Sequence, residues 1–132
     1  MSEENVEIVR HAIEVFNRDG AEAVTGFFDP EIEWHDFAEQ PDASVHQGHE
    51  GFLEAVEQYV GGFEDFRVLI EEIFEHGDQV IICSRTVGRG RGSGATFDGR
   101  GAAVWTLRNG SIIRVEWFGR QLEALKAVGL EP

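Results

Sequence analysis

The chain carries a single cysteine, Cys83, so no internal disulfide can form and nothing points to an oxidising compartment. Basic residues are scarce. Eleven Lys and Arg stand against 25 Asp and Glu, a formal net charge of −14. A surface this acidic repels phosphate backbones and anionic lipid, which argues against nucleic acid and membrane partners. Long apolar runs are also missing, and no stretch approaches the roughly 18–20 residues that span a bilayer. The opening Met1-Ser2-Glu3-Glu4 has no apolar core of the kind a secretory signal needs. These absences predict a soluble, cytoplasmic protein.

What is present fits a globular domain. At 132 residues the expectation is one domain, 1–132, long enough to bury a core without disulfides or structural metal. The hydrophobic share of 42%, with ten Phe and three Trp, is too rich for a disordered chain. Val6, Val9, Ile13 and Phe16 recur at helical spacing. A short second helix follows, with Ala21, Val24, Phe27 and Phe28 apolar, and Asp29-Pro30 stops it. A strand comes next, then a loop over 37–47 and a third helix from His49 to Phe63. Beyond that the period changes to strands. Phe66–Phe74 and Gln79–Val87 flank His76-Gly77-Asp78, and Ala102–Leu107 and Ser111–Phe118 flank Arg108-Asn109-Gly110. Asn-Gly is the strongest short hairpin signal. A last helix, Gln121–Val128, ends at Gly129. Helices first and hairpins later predict an α+β fold, with helices packed on one face of a curved antiparallel sheet.

One residue breaks the first strand's pattern. In Glu31-Ile32-Glu33-Trp34-His35-Asp36 the even positions read apolar, apolar, acid. Side chains alternate faces along a strand, so Asp36 shares the inward face of Ile32 and Trp34. A carboxylate aimed at an apolar interior is costly unless it is paired, protonated or at work.

The order and spacing of several segments resemble the SnoaL-like branch of the NTF2-like superfamily. They are Phe16-Asn17-Arg18-Asp19-Gly20, Asp29 to Asp36, Gly48-His49-Glu50-Gly51, Val104 to Gly110, and Glu123-Ala124-Leu125 with Val128-Gly129-Leu130. The resemblance implies a cone, a bent sheet wrapped around helices with a pocket at its open end. Members include ketosteroid isomerases, polyketide cyclases, epoxide hydrolases and dehydratases, so the fold does not fix a reaction. Asp36 falls where isomerase-like members carry their catalytic aspartate, a proton shuttle beside a carbonyl. Their oxyanion-stabilising tyrosine and protonated aspartate fall on Ala12 and Ala103. Alanine donates no hydrogen bond, and losing one such donor costs ~100-fold or more. Steroid isomerisation is therefore rejected as the specific activity.

The candidate pocket wall comprises Phe16, Trp34, Tyr59, Ala103, Trp105, Val115 and Trp117, an aromatic lining suited to a flat hydrophobic ligand. The inward positions Gly99, Gly101 and Ala103 leave space beside Trp105. His35, Asp36, Glu39, His46, His49 and Glu50 match no metal motif such as HExxH, and no metal or cofactor is expected. His46 and His49 are assigned to the pocket mouth or the surface. Arg85 either faces inward to pair with Asp36 or lies outside among strand neighbours such as Glu116. Gly88 to Gly94 fails the phosphate-loop context, since no helix follows and no Lys-Ser/Thr is present. It reads as a hairpin connection, and Cys83 as packing. In the superfamily the outer sheet face is often a dimer interface, which makes Arg114, Glu116 and Phe118 the interface candidates of a homodimer. The expected function is binding of a small hydrophobic organic molecule. Acid–base chemistry by Asp36 would be of the isomerase, cyclase or hydrolase kind. The alternative is a non-catalytic binding or dimerisation module.

Overall fold

Helix α1 (Ser2–Asp19) places Glu3 and Glu4 in its first turn, where the helix dipole favours negative charge. It ends at Gly20, whose φ of +91° is the left-handed conformation glycine adopts after a helix. In this computed structural model, which describes residues 2–37 and 39–130, the predicted second helix is a 3-10 turn, Glu22–Phe27. Strand β1 (Phe28–His35) follows. The segment expected as loop to residue 47 ends in a short strand, β2 (Val45–Gln47), antiparallel to β1 with Trp34 opposite His46. Helix α2 (Gly48–Val60) is shorter than predicted. Gly61 N–H closes it on the Glu57 carbonyl, and Phe63 begins the next strand instead of ending the helix.

Strands β3 (Phe63–His76), β4 (Gln79–Gly90), β5 (Thr96–Arg108) and β6 (Ser111–Phe118) run on as hairpins, and α3 (Gln121–Ala127) closes the fold. Two turns sit where the sequence places them. Asn109 and Gly110 have φ of 52° and 81°, both positive as a type I′ hairpin requires. The glycine-rich 88–94 segment continues β4 and then turns into β5, because Gly90 N–H pairs with the Ala95 carbonyl at 2.8 Å.

The sheet order is β2-β1-β6-β5-β4-β3. The sheet is antiparallel as expected except at the β1–β6 pairing, which is parallel. Register shifts within β1–β6, β3–β4 and β5–β6 bend it, as bulges do. On the concave side Val9 and Ile13 of α1 and Phe52 and Val56 of α2 pack with Ile32, Val80, Ile82, Trp105, Ile112 and Val115. On the convex side α3 sets Ala124 against Ile81, Cys83, Ala102 and Val104. The result is the α+β cone, a curved sheet around N-terminal helices.

Asn17 fixes α1 to the free edge of β3. Its side-chain amide donates to the Val68 carbonyl at 2.8 Å and its oxygen accepts from Val68 N–H at 2.9 Å. An edge strand leaves such backbone groups unpaired, and one asparagine can satisfy both.

Candidate functional site

The concave core does not close completely. A cavity of about 110 Å³ remains between α1, α2 and the sheet. Nine aromatic rings line it, from Phe16 and Phe28 to Trp105 and Trp117, and Asp36 is the one charged lining side chain among the described residues. The rings brace each other. Trp34 stands perpendicular to Trp105 at 6.4 Å between centroids, 5.0 Å from Phe52 and 5.9 Å from Trp117. Phe37 bridges Tyr59 and Trp117 at 5.8 and 5.7 Å.

Of the seven predicted wall residues, Phe16, Trp34, Tyr59, Trp105 and Trp117 line the cavity. Ala103 and Val115 share the inward face but lie fully buried in the core behind it. Sequence reasoning missed the aromatics Phe28, Phe37, Phe52 and Phe66, and the polar Gln40, as lining residues. Phe52 lies within the predicted third helix, but its place in the wall depends on how α2 crosses the sheet. The space expected beside Gly101 is occupied, since the Phe37 ring comes within 3.6 Å of where a Gly101 side chain would start.

Asp36 sits just past the end of β1, keeps the parity of Ile32 and Trp34, and reaches the cavity. Its surroundings are more polar than an apolar interior. Ser44 N–H donates to Oδ2 at 3.1 Å, and His46 Nε2 donates to Oδ1 at 3.1 Å. Asp36 N–H in turn pairs with the Ser44 carbonyl at 3.0 Å. These contacts close residues 36–44 into a tight loop. Glu39 ties the same loop to the end of β6 by accepting from Gly119 N–H at 2.8 Å. The carboxyl thus stands at the cavity mouth, about a quarter exposed, with its oxygens oriented by two donors.

His35 and His49 have separate partners. His35 Nε2 meets Glu33 Oε1 at 3.1 Å, and His49 Nε2 donates to the Phe28 carbonyl at 3.1 Å. Among the described residues His, Cys, Asp and Glu form no group of three or more that could hold a metal ion. Arg85 does not reach Asp36. It makes a bidentate pair with Asp98 at 2.9 and 2.7 Å on the exposed face, and that hydrogen-bonded guanidinium lowers the Asp98 carboxyl below its ordinary value. Cys83 lies buried in the convex cluster. Burial, with Glu72 and Glu71 nearby, pushes its thiol up to about 11, so it stays protonated and unreactive. Tyr59 stands at the rim, and desolvation by its neighbours raises its phenol. Arg114 pairs with Glu116 at 3.1 Å beside Phe118 on β6.

The family model of the SnoaL-like domain matches residues 9–115. No curated protein matches the chain. Among solved structures, Bal32a from a soil-derived mobile gene cassette is 24% identical, covers 96% of this chain and 97% of its own, and superposes with a TM-score of 0.77. An NTF2-like protein from Burkholderia thailandensis E264 is 26% identical over 97% of this chain and 98% of its own, with a TM-score of 0.75. A protein with a ketosteroid isomerase-like fold from Catenulispora acidiphila DSM 44928, solved in complex with trimethylamine, is 19% identical over 94% and 93%, with a TM-score of 0.74. Among the described residues no helix is long and apolar enough to cross a membrane.

Proposed function

This chain belongs to the SnoaL-like domain family, and on that premise we propose that it binds a small hydrophobic organic molecule in the aromatic cavity, with Asp36 as the acid–base group at its mouth. The observation that carries this reading is the lining itself, nine aromatic rings and one carboxyl. Apolar walls with a few oriented polar groups are the usual makeup of a small-molecule site. Phe16, Trp34, Tyr59, Trp105 and Trp117 would contact the ligand, with Ala103 and Val115 packed behind them. The small volume favours a molecule of about one ring, since an apolar cavity of ~150 Å³ takes up benzene. A similar structure, the C. acidiphila protein, is itself complexed with a small molecule, trimethylamine.

The geometry around Asp36 supports proton transfer next to a carbonyl, in an isomerisation, cyclisation or hydrolysis. His46 and Ser44 hold the carboxyl in place, and a base oriented by further groups is how such sites are built. Ala12 and Ala103 favour the second reading, a binding or dimerisation module without chemistry, because neither donates to a developing oxyanion. Asp36→Asn separates the two. If Asp36 does chemistry, the variant binds the ligand that best raises the wild-type melting temperature but turns it over ~100-fold or more slowly. Turnover by neither protein gives the binding module, and equal turnover by both removes Asp36 from the chemistry.

We further propose that the whole chain acts as one domain, works in the cytoplasm, and pairs as a homodimer through the outer face of β6 at Arg114, Glu116 and Phe118. Neither nucleic acid nor membrane would be a partner for a chain of charge −14.

A further inference from the structure

The cavity gathers groups that attract positive charge. All three tryptophans of the chain, Trp34, Trp105 and Trp117, line it. An aromatic ring is negative on its faces, and among the ring types tryptophan attracts cations best. Asp36 is the one charged group in the wall, and no Lys, Arg or His lines it among the described residues. Trp34, Phe37 and Trp117 are half-buried and Tyr59 is 44% exposed, so these four lining rings keep surface that a ligand can meet. They form one group. Trp117 lies 5.9 Å from Trp34 and 5.7 Å from Phe37 between centroids, and Phe37 lies 5.8 Å from Tyr59. The chain as a whole carries −14, a field that draws cations toward the cleft.

Desolvation narrows the ligand. A cation that leaves water needs compensation, and an opposite charge supplies it best. The Asp36 carboxylate offers about four acceptor sites. Ser44 N–H and His46 Nε2 take two of them, which leaves capacity for a counter-ion. An anionic ligand would meet a like charge and find no partner. Apolar walls suit an ammonium whose N–H groups are replaced by alkyl groups, because each alkyl group gains burial and strands no donor. Volume narrows it again. About 110 Å³, against the ~150 Å³ that takes up benzene, admits a head of about five heavy atoms, the size of a trimethylammonium group.

We propose that the cavity binds a small trialkyl- or tetraalkylammonium ion, with Asp36 as its counter-ion and the rings of Trp34, Phe37, Tyr59 and Trp117 as its cage. This rests on the cavity being a ligand site, as proposed above, and names the ligand class for that site. Asp36 has this role whether or not chemistry follows.

The test compares choline with 3,3-dimethylbutan-1-ol, in which carbon replaces the charged nitrogen at nearly constant shape. Wild type and Asp36→Asn are titrated with both by NMR, following the methyl protons of each probe. In wild type choline should bind about 5- to 30-fold tighter than the alcohol, and its methyl resonance should move upfield as it settles over ring faces. Asp36→Asn keeps the apolar walls, so it should still bind both probes, with the preference for choline cut about 5-fold. If wild type binds both probes equally, or the alcohol better, the ammonium proposal is overturned and the ligand site stands. A preference that survives Asp36→Asn undiminished comes from the net surface charge and overturns the proposal as well. If neither probe binds wild type, the proposal and the cavity reading are overturned together. Phosphocholine separates a free ammonium ion from a lipid headgroup. Its phosphate would meet Asp36 at the mouth, so it should bind more weakly than choline, and binding as tight or tighter would overturn the free ion. Should Asp36→Asn not fold, intermolecular NOEs in wild type decide: choline methyl protons close to the indole protons of Trp34 and Trp117 uphold the cage, and their absence overturns it.

Discussion

Asp36 and His46 show what a single residue's neighbours decide. The parity Ile32, Trp34, Asp36 was legible because a strand enforces alternation over so short a span. His46 was not legible as its partner, because ten residues separate the two and only closure of the 36–44 loop brings them together. Local periodicity carries no information about that closure. Cys83 is the opposite case, since its apolar flanks were enough to assign it to packing. Its buried thiol has a definite pH signature. The folded thiol is raised to about 11, whereas an unfolded thiol titrates near ~8.5. The contribution is fully present below the unfolded value and is lost as pH rises from there through the folded value, because the unfolded chain gives up its proton first. Wild type should therefore lose more stability than Cys83→Ala between about pH 8.5 and 11. Urea melts of both proteins across that range check it, and parallel curves would mean that the thiol ionises freely in the fold.

Among the elements, the hairpins were the most legible and the helix ends the least. Asn109-Gly110 fixes its own turn through two positive φ angles, so β6 begins and ends where the sequence predicted. Helix α2 stops at Val60 although the apolar stripe Phe52, Val56, Tyr59, Phe63 continues past it. Phe63 satisfies that stripe from a strand instead, against Phe66 and Phe97. Strands β3, β4 and β5 outrun their apolar cores because partners on neighbouring strands carry the ladder into polar sequence. The Asn17 contact shows how one side chain sets the position of a whole helix. Replacing it by Leu leaves the Val68 N–H and carbonyl without partners at the sheet edge. The cost should be about 2 kcal/mol, the usual penalty for stranding buried polar groups, read as a lower denaturation midpoint at unchanged m-value. An unchanged midpoint would mean that water replaces the amide at no cost and that apolar packing alone seats α1.

At the scale of the whole molecule, charge decides how two copies can meet. Each chain carries −14, so two of them repel until salt screens the field, over ~10 Å at 0.1 M and ~3 Å at 1 M. On β6 the proposed contact holds an Arg114–Glu116 pair within one chain and the apolar Phe118 beside it. Exposed pairs of that kind contribute at most about 1 kcal/mol, so the contact must draw mainly on apolar burial, which salt does not weaken. Association should therefore strengthen with ionic strength. Sedimentation should move from a mass of 14.7 kDa at low salt toward twice that value as salt rises, and Phe118→Asp should hold the chain at the monomer mass throughout. A dimer that dissociates with added salt would show instead that exchanged ion pairs between Arg114 and Glu116 of opposing copies hold it. A monomer at every salt concentration would leave the convex face as an outer surface that α3 only partly covers, and the proposed ligand site would then belong to a protein that works alone.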